Sequence, residues 1–337
     1  MQTEYLADKV AIILPVYNSS KYLEKCLESI LNQTHENFTI FAIDDGSTDD
    51  SLKILNQFAF RDSRIVVIHK NNEGVGAARN YALNLIEKQN VFSYISFVDS
   101  DDVLSPIFLN SHLKHLKEID ADVSICGFLL IGDNGHLHQP HPPLSERKFD
   151  SDEYINVIFS KNEWSNGSGA GGMVWKQVYR AKVIQSIRFS EDPSVVEDEL
   201  FGVMVAQRAK LFVYFPDPLY FYRQSSTSLC KDKNWQISRF KGRKLCFHNC
   251  ENISEIARLV VFTSYIESIL SLMKQNLLTI DLNSYRILVG RAYNAGAMDK
   301  KTLLIFYLFN KCPLCSMAYI HLRIAFRKLR SLLGLRI

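Results

Sequence analysis

Between residues 10 and 126 short apolar runs alternate with segments of helical period, and this alternation constrains the fold more than any other feature of the chain. Residues 10–14, 38–43, 65–68, 94–98 and 123–126 are nearly continuous apolar runs. Runs this short, without polar alternation, suit strands buried on both faces of a parallel sheet. Tyr22, Leu23, Cys26, Leu27, Ile30 and Leu31 fall at helical spacing within 21–32, and Ser20 stands where an N-cap is expected. Segments 50–58, 77–88 and 106–119 separate the remaining runs. Such alternation predicts an α/β fold, a doubly wound, mostly parallel, Rossmann-like sheet with helices on both faces. Ligands of these sheets bind beyond the carboxyl ends of the strands, where strand order reverses. The polar groups after the first, second and fourth runs are therefore expected to converge on one crevice.

The fourth run ends in Asp99, Ser100, Asp101 and Asp102. Carboxylates crowded at the end of a buried strand raise one another's energy unless a cation or hydrogen-bond donors compensate. Mg²⁺ or Mn²⁺ would do so, because hard cations are held by one or two carboxylates together with substrate phosphates. A solvated turn ahead of the helix after Pro106 is the alternative. Asp44 and Asp45 follow the second run, where an aspartate can accept hydrogen bonds from a nucleotide's base or ribose, although Asp-Asp-Gly-Ser is also ordinary turn chemistry. Arg79 follows Gly74 and Gly76 in the first turn of the expected third helix, a setting for a phosphate oxygen or for close packing on the sheet. Glu197, Asp198 and Glu199 stand between apolar residues. They could supply a general base or complement a helix N-terminus.

The rest of the chain is less regular. Residues 132–143 hold His136, His138 and His141 beside three prolines and read as a solvated loop. The glycine-rich stretch 167–172 lacks the Lys-Ser/Thr ending of a phosphate loop and reads as a mobile loop over the crevice. Long helical periods follow at 253–277 and 282–296. A hydrophobic fraction of 47% and a charged fraction of 22% are those of a globular protein, and a net charge of +3 gives no reason to expect nucleic acid as a partner. Residues 1–9 lack the features of a secretory signal, which points to the cytoplasm. Cys26, Cys126 and Cys246 sit singly in apolar or helical contexts and read as reduced core thiols, while Cys312 and Cys315 lack a second ligand pair.

Taken together, the stretches PVYN at 15–18, IDDGSTD at 43–49, NEGVGAARN at 72–80, FVDSDD at 97–102 and ED at 197–198 resemble the glycosyltransferase family 2 proteins with the GT-A fold. The resemblance covers about residues 9–230 and includes VWKQVYR at 174–180 and YFYRQ at 220–224. It implies a catalytic domain over 1–230, with a nucleotide-sugar-binding half at 9–126 and an acceptor-side half at 127–230, and a helical C-terminal extension over 231–337. By this resemblance Pro15, Tyr17 and Asp44 would hold the nucleotide base, and Arg79 would complete that side of the pocket. Asp99 would contact the ribose or share the metal, Asp101 would be the metal ligand, and Arg223 would help bind the diphosphate. Asp198 would be the catalytic base and Glu197 its neighbour on the acceptor side, near Trp175. Asp102 is left without a role.

The implied reaction is a single displacement that inverts the anomeric carbon, with Mg²⁺ or Mn²⁺ neutralising charge on the departing diphosphate. The implied partners are a nucleotide-sugar donor, a UDP-sugar, and a lipid-linked or oligosaccharide acceptor of the kind built in lipopolysaccharide, O-antigen or capsule assembly. A nucleotidyltransferase would instead carry a Gly-rich, Lys/Arg-bearing loop where this chain has PVYN. A silent glycan-binding scaffold would have no need of the acids at 99, 101 and 198. After Asp299 there is no acidic residue, while Lys300, Lys301, Lys311, Arg323, Arg327, Lys328, Arg330 and Arg336 lie among apolar side chains. This basic tail is expected to bind peripherally to the inner face of the cytoplasmic membrane, each cation adding about 1 kcal/mol at an anionic surface. Packing of the tail on the protein is the competing reading.

Overall fold

The computed structural model describes residues 8–132, 136–138, 145–159, 172–223, 234–275, 277–278 and 281–311, with side chains described only up to 307 in the last segment. The stretch 167–171, His141, the Cys312 and Cys315 pair and the tail beyond 311 lie outside these residues. The chain divides into two compact units, Met1–Ile253 and Ser254–Ile337.

The first unit is built on one mixed, mostly parallel sheet of ten strands. Strands β1 (Val10–Val16), β2 (Phe38–Asp45), β3 (Ile65–Lys70) and β4 (Tyr94–Phe97) lie parallel in the order β3-β2-β1-β4. Every residue of β1 is buried, which accounts for its unbroken apolar character. Helices α1 (Ser20–Leu31), α2 (Ser51–Arg61) and α3 (Val75–Gln89) make the crossovers. The chain moves outward from β1 to β3 and then returns to the other side of β1, so strand order reverses between β1 and β4. That reversal opens the crevice at the strands' carboxyl ends.

Beyond it come β5 (Val103–Leu104), α4 (Phe108–Glu118), β6 (Val123–Ile131), β7 (Leu137–His138), β8 (Arg147–Phe149), α5 (Ser151–Phe159), β9 (Gln177–Arg180), α6 (Ala181–Ile184), α7 (Glu197–Ala206), β10 (Phe212–Arg223) and α8 (Trp235–His248). Strand β9 joins the halves, running antiparallel to both β4 and β6, while β10 lies parallel to β6. Cys26, Cys126 and Cys246 are buried free thiols, in line with the expectation from their apolar settings. Helix α8 falls within the first unit, so the division between units comes later than residue 230. Glu199 of α7 explains the placement, because Arg239 and Arg243 of α8 pair with it at 3.2 and 3.1 Å.

Two local expectations need correction. Ser20 is not the cap of α1; Ser19 takes that position without a side-chain cap bond, and the Ser20 N–H donates to Asp49 Oδ2 at 3.0 Å. A carboxylate from the next loop replaces the local hydroxyl. Asp44 and Asp45 are strand residues, because β3 continues beside them to Lys70, in the register Asp44 with His69 and Asp45 with Lys70.

The second unit contains α9 (Glu255–Lys274), α10 (Arg286–Asn294) and α11 (Lys300–Lys311). Helix α9 is long and apolar enough to cross a membrane by length and composition, but 72% of that apolar window is buried. An all-round apolar helix that is already covered is explained as a core helix. Ser254 caps it, its Oγ accepting from the Ala257 N–H at 3.1 Å.

Candidate active site

The loops that leave β1, β2 and β4 are clipped to one another at the crevice. Asn18, with φ of 49°, donates its N–H to Ser47 Oγ at 3.1 Å and accepts from the Thr48 N–H at 2.8 Å. Ser19 Oγ and Ser100 Oγ lie 2.6 Å apart, joining the first loop to the acidic one. Pro15 is buried in β1 beside Ile43, whereas Tyr17 presents an exposed ring at the strand's end. The polar groups after the first, second and fourth strands thus lie together, as the topology requires.

At the centre is Arg79, one turn into α3 rather than at its start. Its guanidinium is buried and binds three carboxylates: Nη1 donates to Glu197 Oε1 and Asp198 Oδ1 at 2.9 Å each, and Nη2 donates to Asp99 Oδ1 at 3.0 Å. The group also rests on the Phe189 ring at 5.0 Å. Burial opposes its charge, but Asp198, Asp99 and Glu197 outweigh burial and raise its pKa above the ordinary arginine value. One cation against three acids leaves an excess of negative charge. Burial above all, opposed by Arg79 and reinforced by Glu197 and Asp99, pushes the Asp198 carboxyl up to about 7. Such a carboxylate is a stronger base than a solvated one and still ionises near neutral pH.

The seat of Arg79 depends on how α3 packs. Gly74, with φ of 95°, precedes the helix, and its N–H donates to Asp45 Oδ2 at 2.8 Å. Asn80 donates Nδ2 to the Phe189 carbonyl at 3.0 Å and accepts the Phe189 N–H at 2.8 Å, which fixes the ring under Arg79. Gly76 allows this approach, since a Cβ there would lie 2.2 Å from the Ser190 carbonyl oxygen. Gly76→Ala is therefore expected to destabilise the protein by about 2 kcal/mol through overpacking against backbone. Urea denaturation measures this; an unchanged midpoint would show that segment 189–191 yields freely.

In the acidic loop the three aspartates have separate surroundings. Asp102 is fully buried, accepting from Tyr220 Oη at 2.6 Å and from the Arg223 N–H at 2.7 Å. Tyr220 Oη in turn accepts the Asp99 N–H at 3.2 Å, so Asp102 and Tyr220 brace the loop from below. Burial, with Asp101 and Asp99, raises the Asp102 carboxyl well above its ordinary value. Burial and then Asp99 push Asp101 up to about 6. Arg223 donates Nε to the Asp101 carbonyl at 2.8 Å and lies over the Tyr22 ring at 4.4 Å. Asp99 and Asp101 offer hard oxygen ligands with unbalanced negative charge, a donor set suited to Mg²⁺ or Mn²⁺. Among the described residues no group of three or more His, Cys, Asp or Glu forms a metal cage. A cation there would need oxygens from a bound diphosphate.

On the other side of the crevice Asp44 is fully buried, with Oδ2 2.6 Å from His69 Nδ1 and Oδ1 without a hydrogen-bond partner. Asp45 is fully used: Lys70 Nζ and the Glu73 N–H donate to Oδ1, and the Gly74 N–H donates to Oδ2. Trp175, expected on the acceptor side, is 4% exposed and stacks in parallel on Tyr222 at 5.0 Å, with Tyr220 at 4.4 Å. Its ring belongs to the aromatic layer under the acidic loop. His69, Asn80, Phe189 and Tyr220 were missed as site residues because each acts through a partner at least 25 positions away. Only the cross-strand register could have signalled His69.

A family model described as Glycosyl transferase family 2 matches residues 11–181. Glycosyltransferase GlyA of Streptococcus pneumoniae is 31% identical over 227 residues, which span 66% of this chain and 32% of GlyA. The putative glycosyltransferase EpsH of Bacillus subtilis is 30% identical over 225 residues, 65% of this chain and 62% of EpsH. The chain thus spans less than two thirds of either relative. The crystal structure of S. aureus TarS 1-349 in complex with UDP-GlcNAc is similar in fold, with a TM-score of 0.65 and 19% identity, covering 92% of this chain and 89% of that one. The family match takes in half of the chain, from β1 through β9, and includes Asp44, Arg79, Asp99 and Asp101. The chain belongs to glycosyl transferase family 2.

Proposed function

We propose that this family member moves a hexose or N-acetylhexosamine from a UDP-sugar to a hydroxyl of a growing cell-surface glycan, with inversion at the anomeric carbon. The observation that carries the reading is the sharing of Arg79 by Asp198 and Asp99, which links a base of raised proton affinity to the acidic loop at the sheet's switch point. Asp198 takes the proton of the acceptor hydroxyl. The acceptor oxygen then bonds to the anomeric carbon from the face opposite the diphosphate, and the bond to the diphosphate oxygen breaks, its electron pair leaving with the nucleotide. Asp101 would hold a divalent cation, with Asp99 beside it. When bound, that cation neutralises charge on the departing diphosphate. Glu197 stays on Arg79 and keeps the guanidinium in place as Asp198 gains its proton.

Asp44 supports a base carrying an N–H donor, because its buried Oδ1 lacks a partner. TarS, similar in fold, is seen with UDP-GlcNAc. Tyr17 would cover the base and Arg223 would meet the diphosphate. The basic tail would hold the enzyme at the inner face of the cytoplasmic membrane beside a lipid-linked acceptor. The test is UDP release from a panel of UDP-sugars with oligosaccharide acceptors, followed by linkage analysis. Release should require acceptor and fall at least about tenfold on chelation, with Mg²⁺ or Mn²⁺ restoring it. A product that retains the donor's anomeric configuration, or full turnover in chelator, would overturn the reading.

A further inference from the structure

We infer that His69 is a positioning residue for the donor's base, locking Asp44 so that one carboxylate oxygen is presented to a base N–H; the inference rests on the UDP-sugar reading above. Asp44 and His69 are register partners on β2 and β3, so their side chains share one face of the sheet. Asp45 and Lys70 form the next pair, on the opposite face, where Lys70 also binds Glu73. The two aspartates differ in what remains to them. Asp45 has donors on both oxygens, whereas Asp44 has His69 on Oδ2 and nothing on Oδ1.

An ionised carboxylate only accepts hydrogen bonds, so His69 Nδ1 carries the proton in this contact. The imidazole reaches Asp44 from the edge strand with its own side chain 53% exposed, and so costs little of the core. With Oδ2 held, the carboxylate cannot rotate to bring a different oxygen or an edge-on orientation to the ligand. A buried acceptor without a partner is unfavourable, and a ligand N–H that reaches it relieves that penalty. Uracil offers such a group at N3, between two carbonyls. Cytosine presents a lone pair at N3 and would be repelled. Asp44 supplies the discrimination, and His69 keeps it aimed.

The experiment compares wild type, His69→Ala and His69→Asn by calorimetric titration with UDP and CDP and by steady-state kinetics with the active UDP-sugar. His69→Ala should weaken UDP binding roughly tenfold, about one charge-assisted hydrogen bond, and narrow the preference for UDP over CDP. The KM for the UDP-sugar should rise in parallel, with kcat at saturation within about twofold of wild type. His69→Asn, whose amide can donate from nearly the place of Nδ1, should recover most of the affinity and the selectivity. Unchanged UDP affinity and selectivity in His69→Ala would overturn the inference while leaving the donor reading intact. A fall in kcat without a rise in KM would also overturn it. Wild type that binds neither UDP nor CDP overturns the donor reading, and this inference with it.

Discussion

Asp198→Asn is expected to lower turnover by about 10²- to 10⁴-fold, the range for loss of a positioned general base, while leaving UDP affinity within about twofold. The amide keeps the shape of the carboxylate but cannot take a proton. Glu197 and Asp99 still hold Arg79, so the pocket around the nucleotide should stay in place. Wild-type turnover should rise with pH through about 7, where Asp198 ionises. The variant's residual rate should lose that limb. Stability separates loss of chemistry from loss of fold. Because the folded pKa of Asp198 is raised, its contribution to stability is present at pH below the unfolded carboxyl range and is lost as pH rises through about 7. The variant should therefore be at least as stable as wild type at pH 8. Thermal melts at pH 5 and 8, with single-turnover rates, make the measurement; full turnover would remove Asp198 from the chemistry.

Much of the parallel half could be read from residue pattern because burial on both faces leaves a one-dimensional trace. The β1 run is apolar throughout for that reason, and α1 buries Leu23, Cys26, Leu27 and Ile30 at the expected spacing. The antiparallel insertion was not legible. Strand β9 is only four residues long, and its pairing with β4 and β6 depends on partners more than fifty positions away. The cap of α1 failed on similar grounds: Ser20 is the right residue type, but Asp49 from the β2 loop reaches its N–H instead. Helix α8 shows no motif of its own; its place in the first unit follows from Arg239 and Arg243 finding Glu199.

In the site, residue identity was easier to anticipate than residue role. The stretches that hold Asp44, Arg79, Asp99, Asp101 and Asp198 were all marked by chemistry at strand or helix ends, and the fold brings Arg79, Asp99 and Asp198 into contact. Asp102, left unassigned, is explained once Tyr220 and the Arg223 N–H are seen on its two oxygens, across intervals of 118 and 121 positions. Trp175 shows the converse. A tryptophan near a glycine-rich stretch invites an acceptor role, but its ring is covered by Tyr220 and Tyr222.

Arg79→Met should produce the largest loss of stability, about 3–5 kcal/mol, since it leaves three inward-facing carboxylates without their shared cation. For a unit of this size that corresponds to a fall in Tm of roughly 10 °C. Methionine fills much of the volume and keeps the contact with Phe189, so packing loss contributes little. The effect should also depend on pH. Like charges held together favour proton uptake, so the folded variant binds more protons than the unfolded chain, and its stability declines as pH rises from 5 to 8. Adding Asp198→Asn removes one of the repelling charges, and the double variant should melt higher at pH 8 than Arg79→Met alone. The series separates two roles for Arg79. A guanidinium that served only the nucleotide would lower UDP affinity with Tm nearly unchanged, and the second substitution would bring no recovery. A guanidinium that organises Asp99, Glu197 and Asp198 lowers stability first, with turnover falling because the base loses its seat.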